Sequence, residues 1–366
     1  MASFVQGEYG CVHKPCLQCT SATPGTVSKT METEEAEDEL AQYVMVHAAD
    51  PEAEFHLGMP TLCDIDNTIS NQIALLKCRI GKDVLRNMSQ YKLIVMKDGG
   101  KNLREYAEEV QSWLPSSEAT QQCRAFLKEC VRLFRGLHVF QQHGILLNDV
   151  KPQNIVYDGS RLNFIDFGIT QNKNELMHNL LHTPVYAYDF SILHWNFPWE
   201  MAFLNRSKFE SITLAWKKQL RQDMTSKSGY YIHLKEYFAH TWIPPENSFL
   251  EFDAFIDGVL DEELDYVDVV VQCLATIDSF GLGLTLMNWL HSAETHLEDA
   301  VLVAKLQTIF RGMVCQHVMR RFTVDTAQRL LEEALRAADL FDDDQQLQDC
   351  RPAPLCRKRA RRSSFP

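Results

Sequence analysis

The most constraining feature of the chain is a set of polar residues between residues 144 and 170, placed among short apolar runs. The runs ILL, NIVY and LNFID have the length and composition of short strands. Asp149, Lys151 and Asn154 lie within six residues of one another. Asp166 opens an Asp-Phe-Gly triplet at the end of the last run. Because functional side chains concentrate on loops that rigid elements hold, we expect the chemistry of the protein to lie here.

The first 98 residues predict a small domain built from strands and one helix. Residues 2–31 are rich in Gly, Pro, Cys and Thr and contain short apolar pieces, which is typical of strands joined by turns. Residues 32–48 carry apolar side chains at helical spacing behind an acidic first turn, which favours a helix. The apolar run YKLIVM is followed by Lys-Asp-Gly-Gly, so we expect a buried strand that ends in a hinge at residues 96–100.

Residues 99–340 have the pattern of a mainly helical domain. Seven apolar residues between Cys123 and Leu137 recur on one broad helical face, which predicts a helix packed on a core. Residues 269–290 are the most apolar stretch, but polar residues interrupt it, so we expect a buried helix and no membrane span. The tail at residues 341–366 is rich in Pro, Arg and Ser, and we expect it to be disordered.

The string LNDVKPQNIVYDGSRLNFIDFG resembles the catalytic loop and DFG segment of eukaryotic-type protein kinases. The resemblance implies that Asp149 orients the acceptor hydroxyl and accepts its proton, and that Lys151 neutralises the γ-phosphate. It implies that Asn154 and Asp166 hold magnesium, so ATP and Mg²⁺ are the expected cofactors. The Lys-Pro pair after Asp149 is typical of kinases that phosphorylate Ser or Thr, and protein Ser/Thr hydroxyls are therefore the expected substrates.

Further pieces of the kinase pattern occur near the N-terminus. Gly7, Gly10 and Val12 resemble the end of the glycine-rich loop that covers the phosphates of ATP. Val5 stands where the first glycine of that loop would be. Lys29, at the end of VSK, resembles the strand lysine that contacts the α- and β-phosphates. A simple hairpin turn and a solvated lysine are the alternative interpretations of these two pieces.

In kinases this lysine pairs with a carboxylate of the following helix, and the acidic helix offers several. Glu39 borders its apolar face, so we expect Glu39 to pair with Lys29. Glu35, one turn earlier, is the second candidate. We expect Met96, at the end of YKLIVM, at the back of the adenine pocket.

Two C-terminal pieces also fit the pattern. Phe-Pro-Trp-Glu at residues 197–200 resembles the APE motif that ends the activation segment, and IDSFGLG at residues 277–283 resembles the helix that anchors the catalytic loop. In kinases the APE glutamate pairs with a late arginine, for which Arg320 and Arg321 are candidates. Together, the pieces most resemble the serine/threonine kinases of large nucleocytoplasmic DNA viruses.

The resemblance implies an α+β, bilobal protein-kinase fold. The sheet-rich N-lobe would span residues 1–98 and the mainly helical C-lobe residues 99–340, with ATP between them. Leu147 and Asn148 stand where kinases usually have His-Arg, so no arginine before Asp149 can clamp a phosphate. We therefore expect activity without phosphorylation of the activation segment. Two alternatives stay open: a pseudokinase scaffold that binds protein partners, which the departures favour, and a small-molecule phosphotransferase of the aminoglycoside type.

The composition limits the partners of the chain. The formal net charge is −13 over 366 residues, so the bulk lacks the positive excess of a general nucleic-acid binder. The tail carries a basic cluster between Arg357 and Arg362, and both a nuclear localisation signal read by an import factor and a merely solvated tail are compatible with it. The N-terminus lacks a cationic region followed by an apolar core, so we expect an intracellular protein, in the cytoplasm or nucleus.

Eleven cysteines are scattered over the chain, and without a secretion signal we expect free thiols. Four residues near the N-terminus have a zinc-like spacing: Cys11, His13, Cys16 and Cys19. A second ligand pair on another segment is missing, and two of the four fall on the strand of the glycine-rich loop. We therefore favour an interpretation without zinc.

Overall fold

The computed structural model describes residues 3–6, 10–183, 195–225 and 229–341, with the backbone alone at residues 3–6, 216, 220, 221, 223–225 and 229–233. The described chain is α+β. A small antiparallel sheet forms the N-terminal region, and helices make up most of the rest, in the order that the sequence predicts. Two predicted features, Gly7 in the glycine-rich loop and the basic cluster of the tail, lie outside the described residues.

The N-terminal sheet has five strands: β1 (Ser3–Gln6), β2 (Cys11–Lys14), β3 (Thr26–Glu32), β4 (Thr61–Cys63) and β5 (Tyr91–Lys97). They pair antiparallel in the order β1-β2-β3-β5-β4. The helix α1 (Thr33–Ala49) follows β3 directly. Because side chains alternate between the faces of a strand, Met31 and Ile94 lie on one face and pack on Ala36 of α1. The predicted helix and the predicted strand YKLIVM are confirmed.

An insertion between β4 and β5 covers the other face of the sheet. Two short helices lie in it: α2 (Ile69–Leu75) and α3 (Gly81–Arg86). Leu75 and Val84 of the insertion are fully buried and belong to the same apolar cluster as Leu93 of β5. The sheet is therefore buried on both faces, with a separate small core on each.

Two disulfides fasten this region to the start of the sheet. Cys11 of β2 is bonded to Cys78 of the insertion, with a Cα–Cα distance of 6.1 Å. Cys19 is bonded to Cys63 of β4, with a Cα–Cα distance of 6.2 Å. The expectation of free thiols is wrong for these four cysteines, because the fold brings together partners that are 67 and 44 residues apart.

The disulfides also bear on the zinc-like spacing. Cys11 and Cys19 are bonded to other cysteines, which removes two of the four candidate ligands. His13 is buried, and its burial lowers the pKa of the imidazole to about 4. Over the residues that the structure describes, no group of three or more His, Cys, Asp or Glu side chains is arranged to hold a metal ion.

The C-terminal part contains mostly helices. Those described are α4 (Leu103–Gln111), α5 (Ser117–Gln142), α6 (Lys173–His182), α7 (Arg206–Glu210), α8 (Leu214–Thr225), α9 (Gly229–Thr241), α10 (Pro245–Leu260), α11 (Tyr266–Ala293), α12 (Ala300–Met313) and α13 (Val324–Ala337). The short strands are β6 (Lys101–Asn102), β7 (Ile145–Leu146), β8 (Ile155–Tyr157), β9 (Leu162–Phe164) and β10 (Gln171–Asn172). Strands β6, β8 and β9 form one sheet, and β7 pairs with β10. The runs ILL, NIVY and LNFID thus contain β7, β8 and β9.

The long helix α11 runs through the core of this part. Most of its side chains are buried, including Ile277, Phe280 and Trp289. The stretch Tyr266–His296 is long and apolar enough to cross a membrane, with a mean hydropathy of 1.6, yet 83% of its apolar window is buried inside the protein. The prediction of a buried helix is confirmed.

The turn after β5 requires glycine at two positions. Gly100 has a φ of +92°, a left-handed conformation that glycine adopts at little cost. A Cβ on Gly99 would collide with the side chains of Val156 and Leu57. The chain therefore passes from β5 to β6 in close contact with β8, at the position of the predicted hinge.

We predict that each disulfide stabilises the fold. Replacing Cys78 or Cys63 by Ser should lower the free energy of unfolding by about 2–4 kcal/mol, because each bridge closes a long loop of the unfolded chain. Cys16→Ser, at an unpaired and half-buried cysteine, is the control and should change it by less than about 0.5 kcal/mol. Denaturant unfolding with and without a thiol reductant measures the effect. Peptide mapping under non-reducing conditions that finds Cys11 and Cys78 as separate thiols would contradict the prediction.

Candidate active site

Lys29 lies between two carboxylates from distant parts of the chain. Its Nζ is 2.6 Å from Glu39 Oε2 and 2.9 Å from Asp166 Oδ1. Lys29 is on the face of β3 that packs on α1, and Glu39 is on the buried face of that helix. The structure therefore places Glu39, rather than Glu35, against Lys29.

The charged groups in this cluster shift one another's pKa values. Burial alone would lower the pKa of Lys29, but the carboxylates of Asp166 and Glu39 outweigh it and raise that pKa. Burial raises the pKa of Asp166, but the Lys29 ammonium outweighs burial and holds it below its ordinary value. Burial and the charge of Asp166 raise the pKa of Glu39 against the opposing effect of Lys29. Lys29 and Asp166 are consequently both charged at neutral pH.

Contacts between Tyr43 of α1 and the Asp166-Phe167 pair hold Asp166 in position. The φ of Asp166 is +61°, and 40% of its side chain is exposed, whereas Phe167 is buried. The Phe167 ring packs edge-on against Tyr43 of α1, with a centroid distance of 4.8 Å. The Tyr43 hydroxyl accepts a hydrogen bond from the backbone N–H of Asp166 at 3.4 Å. The helix that carries Glu39 therefore also positions the triplet.

Asp149, Lys151 and Asn154 form a second cluster. Asp149 Oδ2 accepts hydrogen bonds from Lys151 Nζ at 2.7 Å and from Asn154 Nδ2 at 2.8 Å. Asn154 Nδ2 also donates to the backbone carbonyl of Asp149 at 3.0 Å, so the amide oxygen of Asn154 faces away from Asp149. Asp149 Oδ1 accepts a hydrogen bond from Asn196 Nδ2 at 2.9 Å. The structure thus brings the three predicted residues together and adds Asn196.

The two clusters are neighbours. The backbone N–H of Ile165 donates to the carbonyl of Asn154 at 3.0 Å, which fixes Asp166 next to that loop. The charge of Lys151 also contributes to the lowered pKa of Asp166. The Asp166 carboxylate therefore bonds to the Lys29 ammonium, lies within the electrostatic influence of Lys151, and follows a strand that is hydrogen-bonded to Asn154.

Helix α11 anchors the loop that carries Asp149. Asp278 Oδ2 accepts from the N–H of Leu147 at 3.0 Å, and Asp278 Oδ1 accepts from the N–H of Asn148 at 2.9 Å. Burial raises the pKa of Asp278 to about 6, against the lowering effect of these two bonds. A Cβ on Gly281 would collide with the backbone carbonyl of Val150, so glycine allows the loop to lie against the helix.

Asn148 connects the same loop to the segment after the triplet. Its Nδ2 donates to the carbonyl of Ile169 at 3.1 Å and to Gln171 Oε1 at 3.3 Å. The φ of Asn148 is +62°, which asparagine tolerates better than most residues. The antiparallel pairing of β7 with β10 adds backbone contacts at this place. Neutral groups therefore hold this segment against the loop that carries Asp149.

Two of the other predicted residues, Val12 and Met96, lie on the sheet face that carries Lys29. Val12 is paired with Lys29 in the register of β2 and β3. Met96 is paired with Val27, two residues before Lys29, so both point to the same face. A Cβ on Gly10 would collide with the carbonyl of Thr30, which makes glycine necessary where the loop joins β2.

A buried ion pair holds the segment that carries Asn196. Arg321 Nη1 and Nη2 donate to the two oxygens of Glu200 at 2.6 and 2.9 Å, and both side chains are fully buried. Arg321 Nε also donates to the carbonyl of Cys315 at 2.8 Å. Of the two candidate arginines, the structure thus pairs Arg321 with Glu200, and Arg320 is exposed.

Three residues of the site carry contacts that the sequence interpretation did not assign: Tyr43, Asn148 and Asn196. Asn196 follows no recognisable spacing and is 47 residues from Asp149. The signal for Tyr43 was its place one helical turn after Glu39. No protein-family model matches the chain, and no curated protein matches it significantly.

We predict that Arg321→Met lowers the free energy of unfolding by about 3–5 kcal/mol, because it leaves the Glu200 carboxylate buried without its partner. Combining it with Glu200→Leu should regain a large part of that loss, since no unpaired charge is then buried. Arg329→Met is the control, because Arg329 pairs with Glu333 on the surface, and it should cost less than about 1 kcal/mol. Denaturant unfolding measures all three. Equal losses for Arg321→Met and Arg329→Met would contradict the prediction.

Proposed function

We propose that the protein is an ATP-dependent serine/threonine protein kinase with a bilobal kinase fold. The observation that carries the proposal is the meeting of two clusters from distant parts of the chain. One contains Lys29, Glu39 and Asp166, and the other contains Asp149 and its donors. Phosphoryl transfer needs counter-charge, hard oxygen ligands and a base, and these clusters supply all three.

In this proposal each group has one task. Lys29 binds the α- and β-phosphates, and Glu39 holds Lys29 in position. Asp149 accepts the proton of a substrate Ser or Thr hydroxyl as its oxygen attacks the γ-phosphorus, and Lys151 neutralises the γ-phosphate. The new bond joins the hydroxyl oxygen to phosphorus, and the bond from phosphorus to the β,γ-bridging oxygen breaks, which releases ADP.

The ligand oxygens that Asp166 and Asn154 offer are of the kind that magnesium prefers. A carboxylate and an amide oxygen are hard ligands, and Mg²⁺ usually completes its octahedron with water and substrate phosphates. Asn154 directs its nitrogen at Asp149, so its oxygen is the atom available for a cation. Bound Mg²⁺ would neutralise charge on the phosphate oxygens. Gly10, Val12 and Met96 would then surround the nucleotide from the sheet side.

We predict that the purified protein transfers the γ-phosphoryl group of Mg·ATP to generic Ser/Thr protein substrates. Asp149→Asn should lower kcat by about 10²- to 10⁴-fold, because the base is lost, and should leave ATP binding within about twofold. Asp166→Asn should weaken Mg-dependent ATP binding. The control is Asp261→Asn, at an exposed aspartate after α10, which should match the native protein.

The outcomes separate the alternatives. A folded protein that binds ATP and transfers nothing would favour the pseudokinase scaffold. Transfer to aminoglycosides but not to proteins would favour the small-molecule phosphotransferase. Transfer that survives Asp149→Asn would contradict the assigned base.

We also predict activity without phosphorylation of the segment after Asp166, because the neutral amide of Asn148 holds that segment. Phosphatase treatment should leave kcat within about twofold. Asn148→Gly keeps the left-handed backbone available and removes the amide, and it should lower kcat by about tenfold. Loss of activity on phosphatase treatment, together with an essential phosphorylation site between Asp166 and Glu200, would contradict the prediction.

A further inference from the structure

We propose that Asn196 is a positioning residue that sets the orientation of the Asp149 carboxylate and couples it to the segment at residues 195–200. The inference rests on the proposed function and names a residue that the kinase pattern in the sequence did not assign. Asn196 is 2% exposed, and its Nδ2 lies 2.9 Å from Asp149 Oδ1. A buried amide aimed at the base is a costly arrangement unless the contact is made.

The contact gives the second oxygen of the Asp149 carboxylate a hydrogen-bond donor of its own. Lys151 and Asn154 both donate to Oδ2 of Asp149, so neither fixes the other oxygen. Asn196 donates to Oδ1 and thereby prevents rotation about the Cβ–Cγ bond. A carboxylate offers about four acceptor positions, and these three donors use three of them. The remaining position is on Oδ1, and there the hydroxyl of the substrate would donate its proton.

Anchors on both sides of Asn196 hold it in place. The Trp195 ring stacks on His240 of α9, with a centroid distance of 4.3 Å and an interplanar angle of 24°. On the other side, the N–H of Trp199 donates to Gln316 Oε1 at 3.1 Å, and Glu200 is held by its buried arginine. The segment is thus tied to the C-terminal helices, and any displacement of it moves the amide away from Asp149.

A blocking role for Asn196 would predict the opposite effect on the rate. If the amide of Asn196 occupied the position that the substrate hydroxyl needs, removing the amide would free Oδ1 and raise the rate. A positioning residue instead speeds the reaction by holding the base in the productive orientation, so its removal lowers kcat and leaves ATP binding alone.

The test compares Asn196→Leu, which removes the donor at similar size, with Asn196→Asp, which replaces the donor by a charge of the same shape. Asn196→Leu should lower kcat by about 10- to 100-fold with the KM for ATP within about twofold. Asn196→Asp places a second carboxylate beside the base and should lower kcat at least as much, again with the KM for ATP within about twofold. Asn196→Ser, which is smaller, carries the test if Asn196→Leu does not fold.

Asn174→Leu and Asn174→Asp are the matched controls, at an exposed asparagine of α6, and should match the native protein in kcat and in the KM for ATP. An unchanged kcat in the Asn196 variants would overturn the inference and leave the proposed kinase function intact. A raised kcat would overturn it in favour of a blocking role. No transfer by the native protein would overturn the proposed function and this inference together.

Discussion

A single ammonium group, Lys29 Nζ, connects three parts of the chain that are far apart in sequence. From its place on β3, it forms hydrogen bonds with Glu39 of α1 and with Asp166, which is 137 residues away in the sequence. Two carboxylates so close together would repel each other without a cation between them. The ammonium therefore allows α1, the sheet and the loop after β9 to meet, while part of the Asp166 side chain remains exposed.

The helical part depends on buried polar groups of a different kind. Asp278 accepts two backbone N–H groups and so holds the loop that carries Asp149. The pair of Glu200 and Arg321 does the same for the segment that carries Asn196. A buried ion pair adds little net stability compared with an apolar core, because both ions lose their water. Such groups do specify one geometry, and here they fix the loops whose positions the proposed chemistry needs.

The sequence was sufficient to group residues that lie at short spacing on one loop or on one helical face. Asp149, Lys151 and Asn154 could be found because they lie on one loop, and Glu39 because helical periodicity placed it on a buried face. The disulfides could not be found, because the insertion between β4 and β5 determines which cysteines meet. The role of Asn196 could not be predicted for a similar reason, since its contact with Asp149 joins segments that only the tertiary fold brings together.

In the proposed function, the two clusters bind one Mg²⁺-nucleotide complex between them. A crystal structure with Mg²⁺ and a non-hydrolysable ATP analogue would show whether they do. We expect phosphate oxygens in contact with Lys29 Nζ, and a metal ion about 2.1 Å from oxygens of both Asp166 and Asn154. A nucleotide bound elsewhere, or a metal ion that touches neither residue, would rule out this binding mode.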